Sequence, residues 1–319
     1  HLRLSKHILA VLSISAASVS LMSTQSHAAG FYVQEISSSS AGAANAGAAA
    51  RPRDGSVIFH NPAAITQLDG AQVNGAVHAL YTHTELENNG SLIGGAPSAA
   101  LGFGDDGGNP GGLQPIPNLY AAAPVTFLGN DIWAGIGVTT PFGLGPEYDN
   151  GFFGSFLVKS ADLQVIDITP SVAYQVNDFL SLGASAIIQR ASLNYQFNTG
   201  VATGARVTAD DIATGYKVSA TLTPSDDLTV GLQYRSRTNI DFDGDIDIGA
   251  ASGSASGTLN LPDIATVGVA YDIDDQWTVM AGVEWFGWNE TDVATIKISL
   301  TAYLPVLFAF ENTLNFYGG

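Results

Sequence analysis

The sequence predicts an all-β protein: a transmembrane antiparallel β-barrel with a small N-terminal hatch, or plug, inside its lumen. Three observations carry that expectation. Several stretches alternate apolar residues with small or polar ones at a period of two, which is the side-chain period of a strand. Charged residues make up only 13% of the 319, yet the hydrophobic fraction is 46%. Soluble domains carry about 25% charged residues, whereas a chain whose outer face meets lipid and whose lumen is lined by small polar groups needs fewer. Finally, residues 29–70 fit neither an ordinary strand nor a long amphipathic helix, and they hold too little apolar bulk for a core of their own. They need an enclosing structure.

Residues 1–28 read as a signal peptide. Arg3 and Lys6 form the positive start, an apolar stretch runs from Ile8 to Met22, and Ser26-His27-Ala28 supplies small residues for cleavage near Ala28. The apolar run is too short and too serine-rich for an anchor, which needs about 20 apolar residues. No later stretch could span a membrane as a helix, so any crossing falls to strands.

The hatch segment opens Ala29-Gly30-Phe31, passes through a Ser/Ala/Gly-rich run from Ser37 to Ala50, and centres on Asn61-Pro62-Ala63. Asn-Pro marks a turn or a helix start, with Pro62 at the first helical position. Residues 71–319 are then expected to form the barrel. Short Asp-containing turns recur at Phe127–Asp131, Val176–Asp178, Thr223–Asp227 and Tyr271–Gln276, about 45 to 50 residues apart. Polar, Gly/Asp-rich connections are expected near 84–118, 142–161, 198–212 and 237–258. Short turns at one end and long loops at the other mark an outer-membrane barrel.

About ten strands are expected, near 72–83, 118–125, 132–140, 162–176, 179–197, 213–223, 228–242, 258–271, 277–289 and 292–301. Leu228, Val230, Leu232 and Tyr234 share one face, against Thr229, Gly231, Gln233 and Arg235 on the other. Tyr216, Val218, Ala220 and Leu222 likewise oppose Lys217, Ser219, Thr221 and Thr223. A soluble sandwich also alternates, but it would place charge outward. Here the second face is small and sparsely charged, and Trp or Tyr recurs beside the turns, as at a membrane interface. After Thr301 the pattern degrades, and position 1 is His, so the chain reads as a fragment whose barrel is incomplete at the C-terminus.

The formal charge of -18 argues against nucleic acid as a partner, because phosphate binding needs clustered Lys and Arg. The absence of cysteine fits an oxidising compartment. The carboxylates of Asp241, Asp243, Asp245 and Asp247 fail the EF-hand spacing, with Ile246 where Gly is needed and Ser252 where the closing Glu belongs. No metal is expected. His60, His78 and His83 sit in no nucleophile context, and the Gly-rich stretch 102–112 lacks the Lys-Ser/Thr of a phosphate loop. Neither an enzyme nor a cofactor is expected.

Four points in order carry a resemblance: the start Ala29-Gly30-Phe31, the motif Asn61-Pro62-Ala63, Tyr234-Arg235-Ser236 followed by Asp241-Phe242, and Leu259-Asn260-Leu261-Pro262. From Ala29 to about Asn289 the chain resembles the FadL/TodX outer-membrane transporters of long-chain fatty acids and other hydrophobic compounds. The resemblance implies a 14-stranded barrel, of which roughly four strands would be missing here. It further implies passive transport across the outer membrane of a Gram-negative bacterium. Substrate would reach a pocket at the hatch and leave sideways where the third strand kinks.

On that resemblance, Phe31, Asn61, Pro62 and Ala63 would form the ligand pocket and hatch gate, and Pro141, Phe142 and Gly143 the exit kink. Pro141 lacks a ladder N–H and Gly143 permits unusual backbone angles, so pairing there should break. The family's fatty-acid transporters place basic residues in the barrel. On the strand continuing from Arg190, the expected position is held by Tyr195. Arg190, Arg235 and Arg237 remain as candidate carboxylate contacts, and an uncharged hydrophobic ligand is the other substrate class. The implied partners are the ligand, outer-membrane lipid and lipopolysaccharide, and the barrel-assembly machinery, with the protein a monomer. The rival reading is a non-transporting barrel or adhesin acting through acidic extracellular loops. An adhesin needs no plug, and neither does an open porin.

Overall fold

A computed structural model describes residues 30–199, 204–291, 293–298, 302–307 and 311–319. The expected signal peptide lies outside these residues. Among them no helix is long and apolar enough to cross a membrane, which bears only on helices.

The first described residues carry three short helical pieces, α1 (Ser38–Ala41), α2 (Val57–His60) and a 3-10 helix at Pro62–Gln67. Ser37 caps α1 through its hydroxyl, and the Asn61 side chain caps the 3-10 helix by accepting from the Ala63 N–H. Pro62 stands at the first helical position, where its missing N–H is not needed.

The rest is sheet. The strands are β1 (Gln72–Thr82), a small hairpin of β2 (Leu92–Ile93) and β3 (Ala96–Pro97), β4 (Gly112–Phe127), β5 (Asn130–Leu144), β6 (Ser160–Gln175), β7 (Leu180–Phe197) and β8 (Ala205–Ser225). They continue as β9 (Leu228–Arg235), β10 (Thr238–Ile248), β11 (Ala251–Leu261), β12 (Ile264–Asp272), β13 (Thr278–Phe286), β14 (Val293–Ile298), β15 (Ala302–Leu307) and β16 (Thr313–Gly318). All but the hairpin join one 14-stranded antiparallel sheet. β8 pairs with both β9 and β10, β12 lies between β9 and β13, and β11 lies between β10 and β14. Four pairs of segments therefore run on as single staves, β9 with β10, β11 with β12, β13 with β14 and β15 with β16, leaving ten staves. Among the described residues no ladder joins β1 to β15 or β16.

Two expectations need correction. The tenth strand is not 292–301: β14 prolongs the ninth stave, and the tenth is β15 with β16, beyond the point where the pattern degraded. The long connection expected at 237–258 is instead β10 and β11, joined by a tight turn in which Gly249 has a φ of 62°. The reason is solvation. Asp241, Asp243, Asp245 and Asp247 point outward and are exposed, while Phe242 and Ile246 between them are buried. A stave needs an apolar outer face only where it meets lipid. Above that level the same face is wet and carries Asp, Ser and Thr.

Lower down, burial is inverted relative to a soluble protein. Val73, Val77, Leu119, Val172, Leu182, Tyr216 and Val218 are exposed, while Ser171, Ser185, Gln189, Lys217, Thr221 and Glu284 are buried. Charge and hydroxyls lie inside and aliphatic side chains outside, as a lipid-facing barrel requires.

The inside is filled by residues 30–68. Gly55 N–H donates to Gln72 and Asn74 on the first stave, Asn118 donates to Glu35 O, and Asn61 Nδ2 donates to Thr221 Oγ1. Ala63 N–H donates to Ser219 Oγ, and Thr66 and Ser181 share a hydrogen bond at 2.8 Å. Arg51 pairs with Asp272 at 2.7 Å. Gly183 and Gly231 are required by contact: a Cβ at either would overlap the hatch backbone at Ala63 or Ala49.

Candidate functional site

The site begins where the third stave leaves the second. β4 pairs with β1 along its length to Thr82↔Gly112, but with β5 only up to Leu119↔Val138. From there β5 follows β6 alone, with a register shift between Thr139 and Phe142 that opposes two residues to Ile166. This is a bulge, centred on a proline that could not have donated to a ladder. The freed edge is taken by the hatch: Val33 N–H donates to Pro141 O at 2.9 Å and Gly143 N–H to Phe31 O at 3.1 Å. Outside the gap lies a depression of about 410 Å³ lined by residues including Val77, Asn118, Leu119, Val138, Thr140 and Ile166. Hollows of similar size occur elsewhere on the wall, so the interrupted ladder, and not the hollow, distinguishes this place.

Inside the gap is an aromatic cluster. Phe31 packs edge-on against Phe142 at 6.0 Å and Trp288 at 5.2 Å, and Tyr32 against Phe142 at 5.6 Å and Phe286 at 4.9 Å. Such edge-to-face pairs suit the charge distribution of the rings. The cluster continues into inward apolar residues of the wall, among them Leu163, Val165, Ala191, Ile240, Phe242 and Leu259. A second cluster of Phe197, Val207, Ile246 and Ala255 lies further along the same staves, toward the end opposite the short turns. The inner surface thus carries an apolar ribbon ending at Phe31 and the bulge.

Below the ribbon is a belt of buried polar groups. Arg235 Nη1 donates to Asp167 Oδ2 at 2.6 Å, Gln189 Nε2 to Asp167 Oδ1 at 2.5 Å, and Thr238 Oγ1 to Gln189 Oε1 at 2.6 Å. Lys217, directly opposite Arg235 in the ladder, donates to Phe59 O at 3.0 Å and lies 4.3 Å from the Phe59 ring centroid. Of the two neighbouring basic side chains, Arg235 alone bonds the Asp167 carboxylate, while Lys217 bonds the hatch backbone. Arg235 Nη2 is buried without a hydrogen-bond partner, and its guanidinium carbon is 5.6 Å from the Phe142 ring.

The expected site residues fall in five places. Phe31, Pro141, Phe142 and Gly143 come together at the gap. Asn61, Pro62 and Ala63 lie apart from them, bonded to β8 at Ser219 and Thr221, where they seat the hatch. Arg235 faces the lumen. Arg190 does not: its side chain is 68% exposed, 4.0 Å from Asp210, on the same outward face as Ile188. Arg237 is half-buried and paired with Asp263 at 3.3 Å, beside the outward Tyr234. Sequence reasoning missed Asp167, Lys217 and Trp288. Asp167 and Lys217 each stand in a row of small inward hydroxyl residues, Thr169 and Ser171 or Ser219 and Thr221, and that contrast was a usable signal.

A family model described as outer membrane protein transport protein (OMPP1/FadL/TodX) matches residues 19–308. The long-chain fatty acid transport protein of Escherichia coli O6:H1 is 26% identical over 333 residues, covering 90% of this chain and 72% of that protein. Among solved structures, a Pseudomonas aeruginosa FadL homologue superposes with a TM-score of 0.74 at 22% identity, covering 90% of this chain and 76% of its own. The P. putida toluene transporter TodX superposes with a TM-score of 0.61 at 16% identity, covering 82% of this chain and 74% of its own. At these identities the structural likeness concerns the fold.

Proposed function

The chain belongs to the OMPP1/FadL/TodX family of outer-membrane transport proteins for hydrophobic compounds, and from that premise we propose a route and a substrate class. The protein takes long-chain hydrophobic acids passively down the apolar ribbon, with the hatch as gate, and releases them sideways through the gap beside Pro141. The observation that carries this reading is the ribbon itself, which runs along the inner wall and ends at the interrupted ladder. Lateral release spares an alkyl chain the aqueous lumen, and each CH₂ passed into lipid gains about 0.8 kcal/mol.

Arg235 favours an acid over a plain hydrocarbon. Its unpartnered Nη2 is buried, and its guanidinium borders the Phe142 ring of the aromatic cluster. A ligand carboxylate would give that nitrogen its partner.

Phe31 holds the gate because its backbone occupies the edge that β5 would otherwise offer to β4. Deleting Pro141 removes the extra residue of the bulge and lets β5 pair straight through. In cells lacking their own transporter, uptake of a labelled long-chain fatty acid should fall to background in this variant while the protein remains inserted. Unchanged uptake would refute lateral exit. If the wild-type protein, correctly inserted, took up neither the fatty acid nor a labelled aromatic hydrocarbon, the adhesin reading would replace transport.

A further inference from the structure

Trp288 is fully buried and is the largest side chain at that level of burial in the described structure. It comes from a second irregularity of the wall. β13 ends at Phe286, a 3-10 turn occupies Trp288–Glu290, and β14 begins at Val293. Across this interval Gly287 N–H donates to Asp263 O at 2.9 Å and Thr291 Oγ1 to Asn260 O at 2.8 Å. Glu284, Phe286 and Trp288 keep the same inward parity, so the turn delivers the indole into the lumen instead of the lipid.

There the indole meets the gate on one side and the kink on the other. It is 5.2 Å from Phe31 and 6.2 Å from Phe142 between ring centroids, and it stacks on Phe286 at 6.4 Å. Gly30 has a φ of 59°, and a Cβ there would lie 2.8 Å from Trp288 Cζ2. The start of the hatch is shaped around this ring. Phe31 is thus held between two aromatic groups, one from each irregular stave.

We infer that Trp288 is the specificity-determining residue at the inner end of the ribbon, limiting the girth of the compounds that pass to unbranched chains and single rings. This rests on the transport reading above. The physical ground is the size of the group: an apolar cavity on the order of 150 Å³ stays dry and accepts a benzene-sized guest, so removing the indole opens room for about one more ring beside Phe31.

The test compares the full chain with Trp288→Ala and Trp288→Phe in transporter-deficient cells, using a labelled saturated fatty acid and pyrene as probes. The wild type is expected to take up the acid and exclude pyrene. Trp288→Ala should raise pyrene uptake relative to acid by at least about tenfold, the discrimination that small volume changes in apolar sites produce, with Trp288→Phe in between. An unchanged ratio in both variants, with acid uptake intact, would reduce Trp288 to packing and overturn the inference while leaving transport standing. Uptake by the wild type of neither the acid nor a labelled single-ring hydrocarbon would refute transport itself, and this inference with it. If Trp288→Ala did not insert, the Trp288→Phe ratio alone would decide, a rise supporting the inference and no change overturning it.

Discussion

Asp167 is the residue on which the lumen's electrostatics turn. It is fully buried, holds Arg235 at 2.6 Å through one oxygen and Gln189 at 2.5 Å through the other, and lies on the stave beside the gap. Removing one member of a buried pair strands the other, which typically costs about 3–5 kcal/mol, whereas replacing both with apolar groups is often neutral. Asp167→Ala should therefore lose roughly that much stability in denaturant unfolding of the protein refolded in micelles. The Asp167→Leu/Arg235→Met double variant should recover most of it and still show weakened uptake of a fatty acid relative to an uncharged hydrocarbon. Recovery of stability with an unchanged preference would remove Arg235 from ligand recognition. A single inward acid can be seen in the sequence, but its partner cannot, because Asp167 and Arg235 are on different staves and meet only through the register of the sheet.

At the scale of elements, the strands were legible and their ends were not. Period two located the lipid-facing parts of the staves, because lipid demands an apolar outer face. It failed over β10, where water wets that face and Asp alternates with Phe and Ile, and over most of β11, which is built of Ser, Gly, Ala and Thr. It failed again at β15, where the sequence offers a nearly unbroken apolar run, and at the short β16 that follows. The bulge at Pro141 was legible because proline removes a donor outright. The inward turn at Trp288 was not, since neither Gly287 nor Trp288 breaks a strand by itself. The hatch was legible as an oddity, but its seat was not: Gly183 and Gly231 read as ordinary strand glycines. Gly231→Val would put a side chain through the Ala49 carbonyl and should unseat the hatch. The expected signs are faster proteolysis near Ala49 and greater leakage of small polar antibiotics into cells. Normal resistance to both would show that the wall can yield at this point.

For the whole molecule, the inverted burial sets the terms of stability. Val218 is 48% exposed on the lipid-facing part of β8. An Arg there should destabilise insertion by about 2–4 kcal/mol if it lies at the bilayer midplane, measurable by refolding into vesicles of defined thickness. Thr221→Arg, pointing inward, should instead act through hatch seating, because Thr221 is a partner of Asn61. The same inversion bears on how the protein is made. Residues 30–68 supply partners to inward hydroxyls and amides from the first stave, at Gln72, to the sixth, at Thr221, and Arg51 reaches the eighth and ninth at Asp272 and Thr278. A wall assembled without that segment would enclose polar groups with nothing to bond. The segment also precedes in the chain, and so is synthesised before, every stave it touches. On the proposed reading the hatch would then be a mandrel as much as a gate, a piece already present around which the staves wrap and which sets their curvature from within.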